Sequence, residues 1–261
     1  MTETPPRPFA ISENTYGHLK RLRWIISHLR KDDVIVELGC GTGYMVTLPL
    51  VRLAYRVSGV DLDEPSIAYG RNLFRQAGLD TSCLCACDLA DLDVAPDVII
   101  ASEVLEHVGD DKLGPTLQTM RGKLKPGGRL LVTVPNGYGW FEIESLLWFK
   151  LRLGYLIESL HIGRAVRRAK RILLGRDVHD EPLSTLSASP HVQRFTYRSI
   201  QELLAREGFR IEETTGSVLC AGPFSNLFLS GIGPIMRLNC RLGELFPCVA
   251  AAFFVSCSKD G

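Results

Sequence analysis

Glycine and acidic residues near the N-terminus are spaced so that they could hold a nucleotide-like ligand. Residues 34–43, Val-Ile-Val-Glu-Leu-Gly-Cys-Gly-Thr-Gly, join an apolar run to a loop with alternating glycines, and the amphipathic segment 44–53 follows. This order predicts a strand, a glycine-rich turn and a helix. Glycine lets the backbone approach a ligand closely, and a new helix presents N–H groups without intrahelical partners. The predicted ligand-binding residues here are Glu37, Gly39, Cys40, Gly41 and Gly43.

Acidic residues also follow three later predicted strands. Asp61 follows the second strand, Asp88 the third and Glu103 the fourth. The carboxyl ends of parallel strands meet at one edge of a sheet, so we expect these carboxylates to lie beside the glycine loop. Asp61 comes 18 residues after Gly43, close to the spacing of the acid that binds ribose hydroxyls in dinucleotide sites. The pattern predicts a site for a ribose-containing cofactor.

The charge just before the glycine loop indicates which cofactor this is. The carboxylate of Glu37 would repel a pyrophosphate, whereas it would attract the ammonium or sulfonium of an adenosine that carries an amino acid. The loop also reads Gly-x-Gly-x-Gly rather than Gly-x-Gly-x-x-Gly. We therefore expect S-adenosylmethionine, with an NAD-dependent oxidoreductase as the alternative.

Strand and helix patterns alternate through most of the chain. We predict an N-terminal helix over 14–31, a helix capped by Asp63, a helix from Asp110 and a helix capped by Thr196. The remaining strands are predicted over 54–60, 82–86, 97–101, 129–134, 209–218 and 250–257. About seven strands with helices between them indicate an α/β fold with a doubly wound, Rossmann-like, mostly parallel sheet.

Composition describes an ordinary globular protein. The 261 residues are 46% hydrophobic and 23% charged, with a formal net charge of +1, so we expect no nucleic-acid partner. Eight cysteines without an apolar leader at the start predict reduced thiols in a cytoplasmic protein. Cys83, Cys85 and Cys87 alternate as if on one face of a strand, which predicts buried strand residues rather than metal ligands.

Five ordered motifs together resemble the class I S-adenosylmethionine-dependent methyltransferases. They are Val-Glu-Leu-Gly-Cys-Gly-Thr-Gly at 36–43, Gly-Val-Asp-Leu-Asp at 59–63, Cys-Asp-Leu at 87–89, Ser-Glu-Val-Leu-Glu-His-Val at 102–108 and Leu-Lys-Pro-Gly-Gly-Arg-Leu-Leu-Val at 124–132. The resemblance covers about 33–136 and resumes over 191–211.

The resemblance implies a role for each matching residue. The glycine loop and Glu37 would hold the methionine end of the cofactor. Asp61, with Leu62 beside it, would bind the ribose, Asp88 with Leu89 the adenine, and Glu103 would border the same site. The family also implies that the seventh strand is antiparallel to the others.

Two helical insertions depart from the family pattern. After a flexible tail over 1–12, we predict one methyltransferase domain over 13–261 that is interrupted at about 138–189 and 221–247. In the family topology both insertions emerge over the methyl group, so we expect a cap that forms a lid and a substrate pocket. The alternatives are an added packing layer or a dimer contact, and the oligomeric state is not predicted.

Two histidines are candidates for catalysis. His107 follows the fourth strand and has an unperturbed pKa that suits a base near neutral pH, and His191 is the second candidate. Glu103, Glu106, His107 and His191 also resemble the magnesium site of small-RNA 2′-O-methyltransferases and of some quinone-biosynthesis O-methyltransferases. Because Glu-x-x-Glu-His is widespread in relatives that use no metal, we predict no metal here.

The expected activity is methylation of an oxygen on a small or lipid-like molecule. The alternative is a protein of the same fold that binds the cofactor without catalysis. Aromatic residues from Trp140 onward precede a basic run from Arg164 to Arg176. An amphipathic basic helix of this kind could contact an anionic membrane peripherally through 140–176, or could simply be a solvated face.

Overall fold

A computed structural model describes residues 14–174, 183–187 and 190–259. The predicted tail over 1–12 and the last basic residue of the predicted run, Arg176, lie outside these residues. In the described part of the chain, no helix has both the length and the apolar composition needed to cross a bilayer.

Seven strands form one sheet in the order β3-β2-β1-β4-β5-β7-β6. Their bounds are Val34–Leu38 (β1), Arg56–Asp61 (β2), Leu84–Ala86 (β3), Val98–Ser102 (β4), Arg129–Pro135 (β5), Phe209–Gly216 (β6) and Ala252–Lys259 (β7). The pairs among β1 to β5 are parallel, and β7 runs antiparallel to both β5 and β6. The predicted doubly wound α/β fold with an antiparallel seventh strand is confirmed.

Helices flank the sheet and form the two insertions. They are His18–Ser27 (α1), Thr47–Arg52 (α2), Glu64–Gln76 (α3), Asp110–Lys123 (α4), Trp140–Ser145 (α5), Leu153–Ser159 (α6), Ile162–Leu174 (α7), Tyr197–Arg206 (α8), Pro223–Leu229 (α9) and Gly233–Leu245 (α10). A π-helical turn, Leu146–Lys150, follows α5 directly and leads to α6.

Local sequence signals set several of these boundaries. Asp63 caps α3, because its side chain accepts a hydrogen bond from the Ser66 backbone N–H. Thr196 and Ser199 form a capping box at the start of α8. Gly78 follows α3 with φ +68° and Gly208 follows α8 with φ +84°, a backbone conformation that favours glycine.

The structure corrects some predicted boundaries. The N-terminal helix covers only His18–Ser27 of the predicted 14–31, and α2 begins at Thr47 rather than Tyr44. The second strand starts at Arg56, because Ala54 has φ +59°. These ends lie in turns that a periodic pattern does not resolve.

The prediction that three cysteines are buried on one face of a strand is wrong. The third strand is only three residues long, and Cys83, Cys85 and Cys87 are each partly exposed. Cys83 packs against a different apolar cluster from Cys85 and Cys87. A strand of this length cannot hold alternating positions in one environment.

The sheet core explains why the central strands read as continuous apolar runs. Val98, Ile99, Ile100 and Ala101 of β4 are fully buried, because helices cover both faces of the sheet. Ile99 and Ala101 belong to the cluster with α4 and α8, whereas Val98 and Ile100 belong to the cluster with α1.

Helix α1 is attached to the C-terminal third of the chain. The ring of Trp24 packs on Phe254 of β7 with centroids 5.3 Å apart, and its indole N–H donates to Glu213 of β6 (3.2 Å). The Lys20 ammonium donates to the carbonyl oxygens of Ser217 and Cys240, the latter at 2.8 Å. These contacts hold α1 across the ends of β6 and α10.

The two insertions contact each other through a buried carboxylate. Glu144 of α5 accepts hydrogen bonds from the backbone N–H of Ser225 (2.9 Å) and from its hydroxyl, at the start of α9. The rings of Trp148 and Phe224 meet edge to face with centroids 4.9 Å apart. The helices of the first insertion therefore pack directly on the second.

Candidate functional site

A cavity of about 1390 Å³ lies at the carboxyl ends of β1 to β4. Ten of the twelve predicted site residues line it: Glu37, Gly39, Cys40, Gly41, Asp61, Leu62, Asp88, Leu89, Glu103 and His107. The other two, Gly43 and His191, do not line it. The strand-end acids and the glycine loop thus meet at one edge of the sheet, as the sequence pattern requires.

The glycine loop takes backbone conformations that favour glycine. Gly39, Gly41 and Gly43 have φ angles of +66°, +55° and +72°. A Cβ on Gly39 would lie 2.5 Å from a methyl carbon of Val104. Gly43 faces the side chains of Leu84 and Phe74 instead of the cavity. Its role in cofactor binding stays a prediction, and the contacts that the structure shows for it are packing contacts within the loop.

Glu37 is buried below the loop. Its carboxylate accepts hydrogen bonds from the Thr47 backbone N–H (2.9 Å) and from the Thr47 hydroxyl. Burial raises the pKa of Glu37 to about 7, although the Thr47 hydrogen bonds and the charge of Arg21 act to lower it. The group can therefore gain or lose a proton near neutral pH.

Asp61 connects the end of β2 to the glycine loop. One carboxylate oxygen accepts from the Gly41 backbone N–H (2.7 Å), and the other accepts from the Asp63 backbone N–H (2.8 Å). Both oxygens retain lone pairs that could accept from ribose hydroxyls. Asp88 similarly accepts from the Ala90 backbone N–H (2.8 Å) and precedes the buried Leu89.

Arg21 of α1 is a site residue that the sequence reasoning missed. It lines the cavity, and its guanidinium lies 3.4 Å from a carboxylate oxygen of Glu103. Its side chain is only 11% exposed, and its charge acts on Glu37 and on Glu106. A cation is therefore held at the end of the cavity where Glu37 lies. In the sequence, the Lys and Arg residues of α1 alternate with apolar residues and indicate only an amphipathic helix. No sequence signal therefore distinguishes Arg21 as a site residue.

Residues 183–187, which we call the strap, cross the glycine loop. The Thr42 backbone N–H donates to the Ser184 carbonyl oxygen (2.9 Å), and the Thr42 hydroxyl donates to the Leu183 carbonyl oxygen (2.8 Å). The Leu186 backbone N–H donates to the Ser66 hydroxyl (2.8 Å) at the start of α3. Leu183, Ser184, Thr185 and Ser187 line the cavity. The first insertion thus contributes part of the cavity wall.

The second insertion contributes nothing to this wall. No residue of 221–247, a range that the structure describes completely, lines the cavity. The expectation that both insertions form a lid over the site stays a prediction, and of the two only the first lines this cavity. The second insertion packs on the first, because α9 contacts α5 as described above.

His107 lies on the cavity wall in a short 3₁₀ turn, Leu105–His107. Its Nδ1 lies 3.2 Å from the carbonyl oxygen of Pro190. A carbonyl oxygen can only accept, so Nδ1 carries a proton, and in the neutral form of the ring Nε2 is the acceptor. His191 packs edge to face on this ring with centroids 4.9 Å apart. The pKa of His191 is lowered, mainly by burial and also by the charge of His107.

The backbone of Glu106 holds these two histidines together. Its carbonyl oxygen accepts from the N–H groups of Val192 (2.8 Å) and Gln193 (3.0 Å). Its carboxylate oxygen Oε2 is buried and has no hydrogen-bond partner among the described residues. Burial, and then the charge of Glu103, raise the pKa of Glu106 to about 9.

Three of the four residues considered for a metal come together. Donor atoms of Glu106, His107 and His191 lie within 4.8 Å of one another. Glu103 is not in this group, because it accepts a hydrogen bond from the Thr133 hydroxyl (3.0 Å) and pairs with Arg21. A carboxylate and two imidazoles suit a divalent transition ion.

The sheet order, the glycine loop and the row of strand-end acids define a doubly wound α/β protein with a nucleotide-type site at the carboxyl ends of its strands. A family model described as a methyltransferase domain matches residues 16–214. The chain therefore belongs to the class I S-adenosylmethionine-dependent methyltransferases, with S-adenosylmethionine as the cofactor. The nicotinamide alternative is not supported.

Individual relatives are similar over part of their length. The chain is 33% identical over 188 residues to a probable S-adenosylmethionine-dependent methyltransferase of Mycolicibacterium smegmatis, covering 72% of this chain and 56% of the relative. It is 35% identical over 104 residues to a ubiquinone biosynthesis O-methyltransferase of Nitrobacter winogradskyi, covering 39% and 38% of the two chains. The matches thus span about half or less of these relatives.

Solved structures share the fold. The chain resembles the 1,6-didemethyltoxoflavin-N1-methyltransferase of Burkholderia thailandensis, a structure with bound 1,6-didemethyltoxoflavin and S-adenosylhomocysteine. The TM-score is 0.55 at 17% identity, and the match covers 95% of this chain and 80% of that one.

Proposed function

We propose that this chain methylates an oxygen atom of a small or lipid-like molecule, with His107 as the general base. The observation that carries this proposal is the Nδ1 hydrogen bond of His107 to the Pro190 carbonyl. In the neutral form of the ring, this bond leaves Nε2 as the unprotonated nitrogen, and the ring lines the cavity. A hydroxyl acceptor must lose a proton as its oxygen gains the methyl group, and a neutral imidazole can take it.

The chain's own residues would position the two reactants. Bound S-adenosylmethionine supplies a methyl group that a sulfonium already activates. Glu37, Gly39 and Gly41 would hold its amino-acid end, and Asp61 would hold its ribose. His107 would face the acceptor hydroxyl and take its proton at Nε2, while the cofactor would supply the methyl group to the oxygen and be left as S-adenosylhomocysteine.

A row of aromatic rings that begins at the cavity supports an apolar acceptor. Rings lie in a row from the cavity outward: His18 lines the cavity, Tyr16 stacks on His18 at 5.9 Å, and Phe141 of α5 meets Tyr16 at 6.5 Å. An apolar approach of this kind suits an apolar acceptor. The O-methyltransferase name of the Nitrobacter relative supports oxygen as the acceptor atom.

The test is His107→Gln, which keeps a polar side chain but cannot take the proton. We expect kcat to fall about 10²- to 10⁴-fold, with the S-adenosylhomocysteine Kd unchanged. His191→Gln is the comparison variant, and we expect a smaller loss because His191 does not line the cavity. Undiminished transfer to a hydroxyl acceptor in His107→Gln would remove this residue as the base.

A metal-assisted version of the reaction has its own observation in its favour. The converging donors of Glu106, His107 and His191, together with the unpartnered Glu106 oxygen, could hold a divalent ion that binds an acceptor hydroxyl. In that case exhaustive chelation would abolish transfer, and added divalent ions would restore it. The general-base proposal instead expects full activity after chelation.

A further inference from the structure

Large apolar side chains face solvent along one continuous stretch of the first insertion. Over 143–160, which we call the apolar segment, seven of them are at least 48% exposed: Ile143, Leu146, Phe149, Leu151, Tyr155, Leu156 and Leu160. Single exposed apolar residues are common on proteins, but contiguous apolar patches mark interaction surfaces. This segment is therefore a candidate contact surface.

Basic side chains accompany the apolar segment. Residues 140–174 contain seven Lys or Arg and three Glu, one of which is the buried Glu144. Because the whole chain has a net charge of only +1, the rest of the molecule carries more acidic than basic groups. Arg164, Arg167 and Arg168 of α7 are all exposed. Positive charge is concentrated where apolar side chains are exposed.

This combination distinguishes between possible partners. A symmetric contact with a second copy would bring two copies of the same positively charged surface into one interface. A nucleic acid would not cover the exposed leucines and aromatic rings. An anionic bilayer surface matches both features, because its headgroups attract Lys and Arg while its acyl boundary accepts apolar side chains.

The apolar segment also starts beside the proposed active centre. Phe141, two residues before it, is the outermost ring of the row that leads to the cavity. The carboxylate of the next residue, Glu142, lies close enough to His191 to act on its pKa, and His191 packs on His107. The apolar segment therefore follows directly on the outermost ring of the row that leads to the cavity.

We propose that the apolar segment and α7 dock this protein on an anionic lipid surface, from which a lipid-like acceptor reaches His107 along α5. The docking is a property of 143–174 alone, whereas the acceptor route rests on the proposed function. Phe149 and Tyr155 enter the headgroup region, and Arg164 and Arg168 contact anionic headgroups.

Vesicle co-sedimentation tests the docking with the full chain. We expect binding to phosphatidylcholine vesicles that contain about 30% phosphatidylglycerol, much weaker binding to pure phosphatidylcholine, and loss of binding in about 0.5 M NaCl. Arg164→Gln with Arg168→Gln lowers the partition coefficient about fivefold for each charge removed. Arg198→Gln on α8, where the arginine is 87% exposed, is the matched control and leaves binding unchanged.

A second pair of variants tests the apolar contribution. Phe149→Ser with Tyr155→Ser lowers vesicle binding by about tenfold or more. The control is Leu53→Ser, which removes an exposed apolar side chain outside the apolar segment and leaves vesicle binding unchanged. Unchanged thermal unfolding shows that each variant is folded. Equal binding to neutral and anionic vesicles overturns the proposal, as does a dimer in sedimentation velocity that the Phe149 and Tyr155 variant dissociates.

The docking and the proposed function can fail separately. His107→Gln should bind anionic vesicles as the wild type does, because docking needs no turnover. A wild-type protein that binds these vesicles but methylates no oxygen contradicts the proposed function and leaves the docking standing. A wild-type protein that methylates a soluble hydroxyl acceptor but does not bind these vesicles contradicts the docking and leaves the proposed function standing.

Discussion

Arg21 brings a positive charge into a site that otherwise collects carboxylates. The amino-acid end of the cofactor carries a carboxylate as well as an ammonium, and Glu37 can attract only the ammonium. Arg21 lies within electrostatic reach of Glu37 and 3.4 Å from Glu103. The arrangement supports Arg21 as the partner of the cofactor carboxylate.

We expect Arg21→Gln to weaken S-adenosylhomocysteine binding by about 10- to 100-fold, the cost of a hydrogen bond to a charged group. Binding of 5′-methylthioadenosine, which lacks the amino-acid portion, should be unchanged. Calorimetry with both ligands makes the measurement. An equal loss for both ligands would show that Arg21 only supports the fold of the cavity.

Glu37 should make cofactor binding depend on pH. Its pKa of about 7 in the free protein means that it is largely protonated below pH 7, and a bound cation favours the carboxylate. Binding therefore releases a proton at low pH, and the affinity for S-adenosylmethionine should rise with pH until about 7 and then level off.

Calorimetry in two buffers of different ionisation enthalpy counts the released protons. Glu37→Gln should remove both the proton release and the pH dependence of Kd below pH 7. A Kd that stays constant between pH 5.5 and 8 in the wild type would contradict this role of Glu37.

The same pKa shift predicts a stability effect of definite sign. Because the folded pKa of Glu37 lies above its unfolded value of 4.5, its contribution to folding stability is fully present below pH 4.5. That contribution is lost as pH rises through 7. Cofactor binding thus depends on the ionised form of Glu37, and ionising this buried side chain costs free energy in the cofactor-free protein.

Among the structural elements of the site, the strap is held to the glycine loop by hydrogen bonds at Thr42. The Thr42 backbone N–H and hydroxyl donate to the carbonyl oxygens of Ser184 and Leu183 in the strap. Thr42→Val removes the hydrogen bond to Leu183 and keeps the side-chain shape. We expect S-adenosylhomocysteine to dissociate roughly fivefold faster, which corresponds to about one hydrogen bond. Stopped-flow displacement measures this rate.

Thr214→Val is the matched control for that variant. The Thr214 hydroxyl is buried in β6 and has no hydrogen-bond partner among the described residues, so its loss should leave the dissociation rate unchanged. If Thr42→Val also left that rate unchanged, the strap would be a passive part of the wall.

Sequence reasoning identified the elements whose signals are local. The glycine loop, the Asp63 and Thr196 caps and the strand-end acids each depend on residues a few positions apart, and parallel strands then bring the acids together. Arg21 and the strap depend on contacts between distant segments, such as Thr42 with Leu183. No periodicity or motif records such a pairing, so these residues became visible only in the fold.

For the whole molecule, the sequence predicted a sheet of about seven strands but could not show what the insertions touch. Exposed apolar residues of 143–160 and core leucines have the same pattern in sequence, and only the structure separates them. The apolar segment begins within α5, and none of its residues lines the cavity. Chemistry and docking are thus adjacent but use different residues.

The attachment of α1 has a consequence for the order in which the site forms during synthesis. Arg21 and His18 lie on a helix that is translated early, but three of the residues that hold this helix, Glu213, Cys240 and Phe254, are translated much later. A nascent chain that has produced the glycine loop and all the strand-end acids still lacks these three contacts to α1. Cofactor affinity should therefore increase further once β6, α10 and β7 have been synthesised.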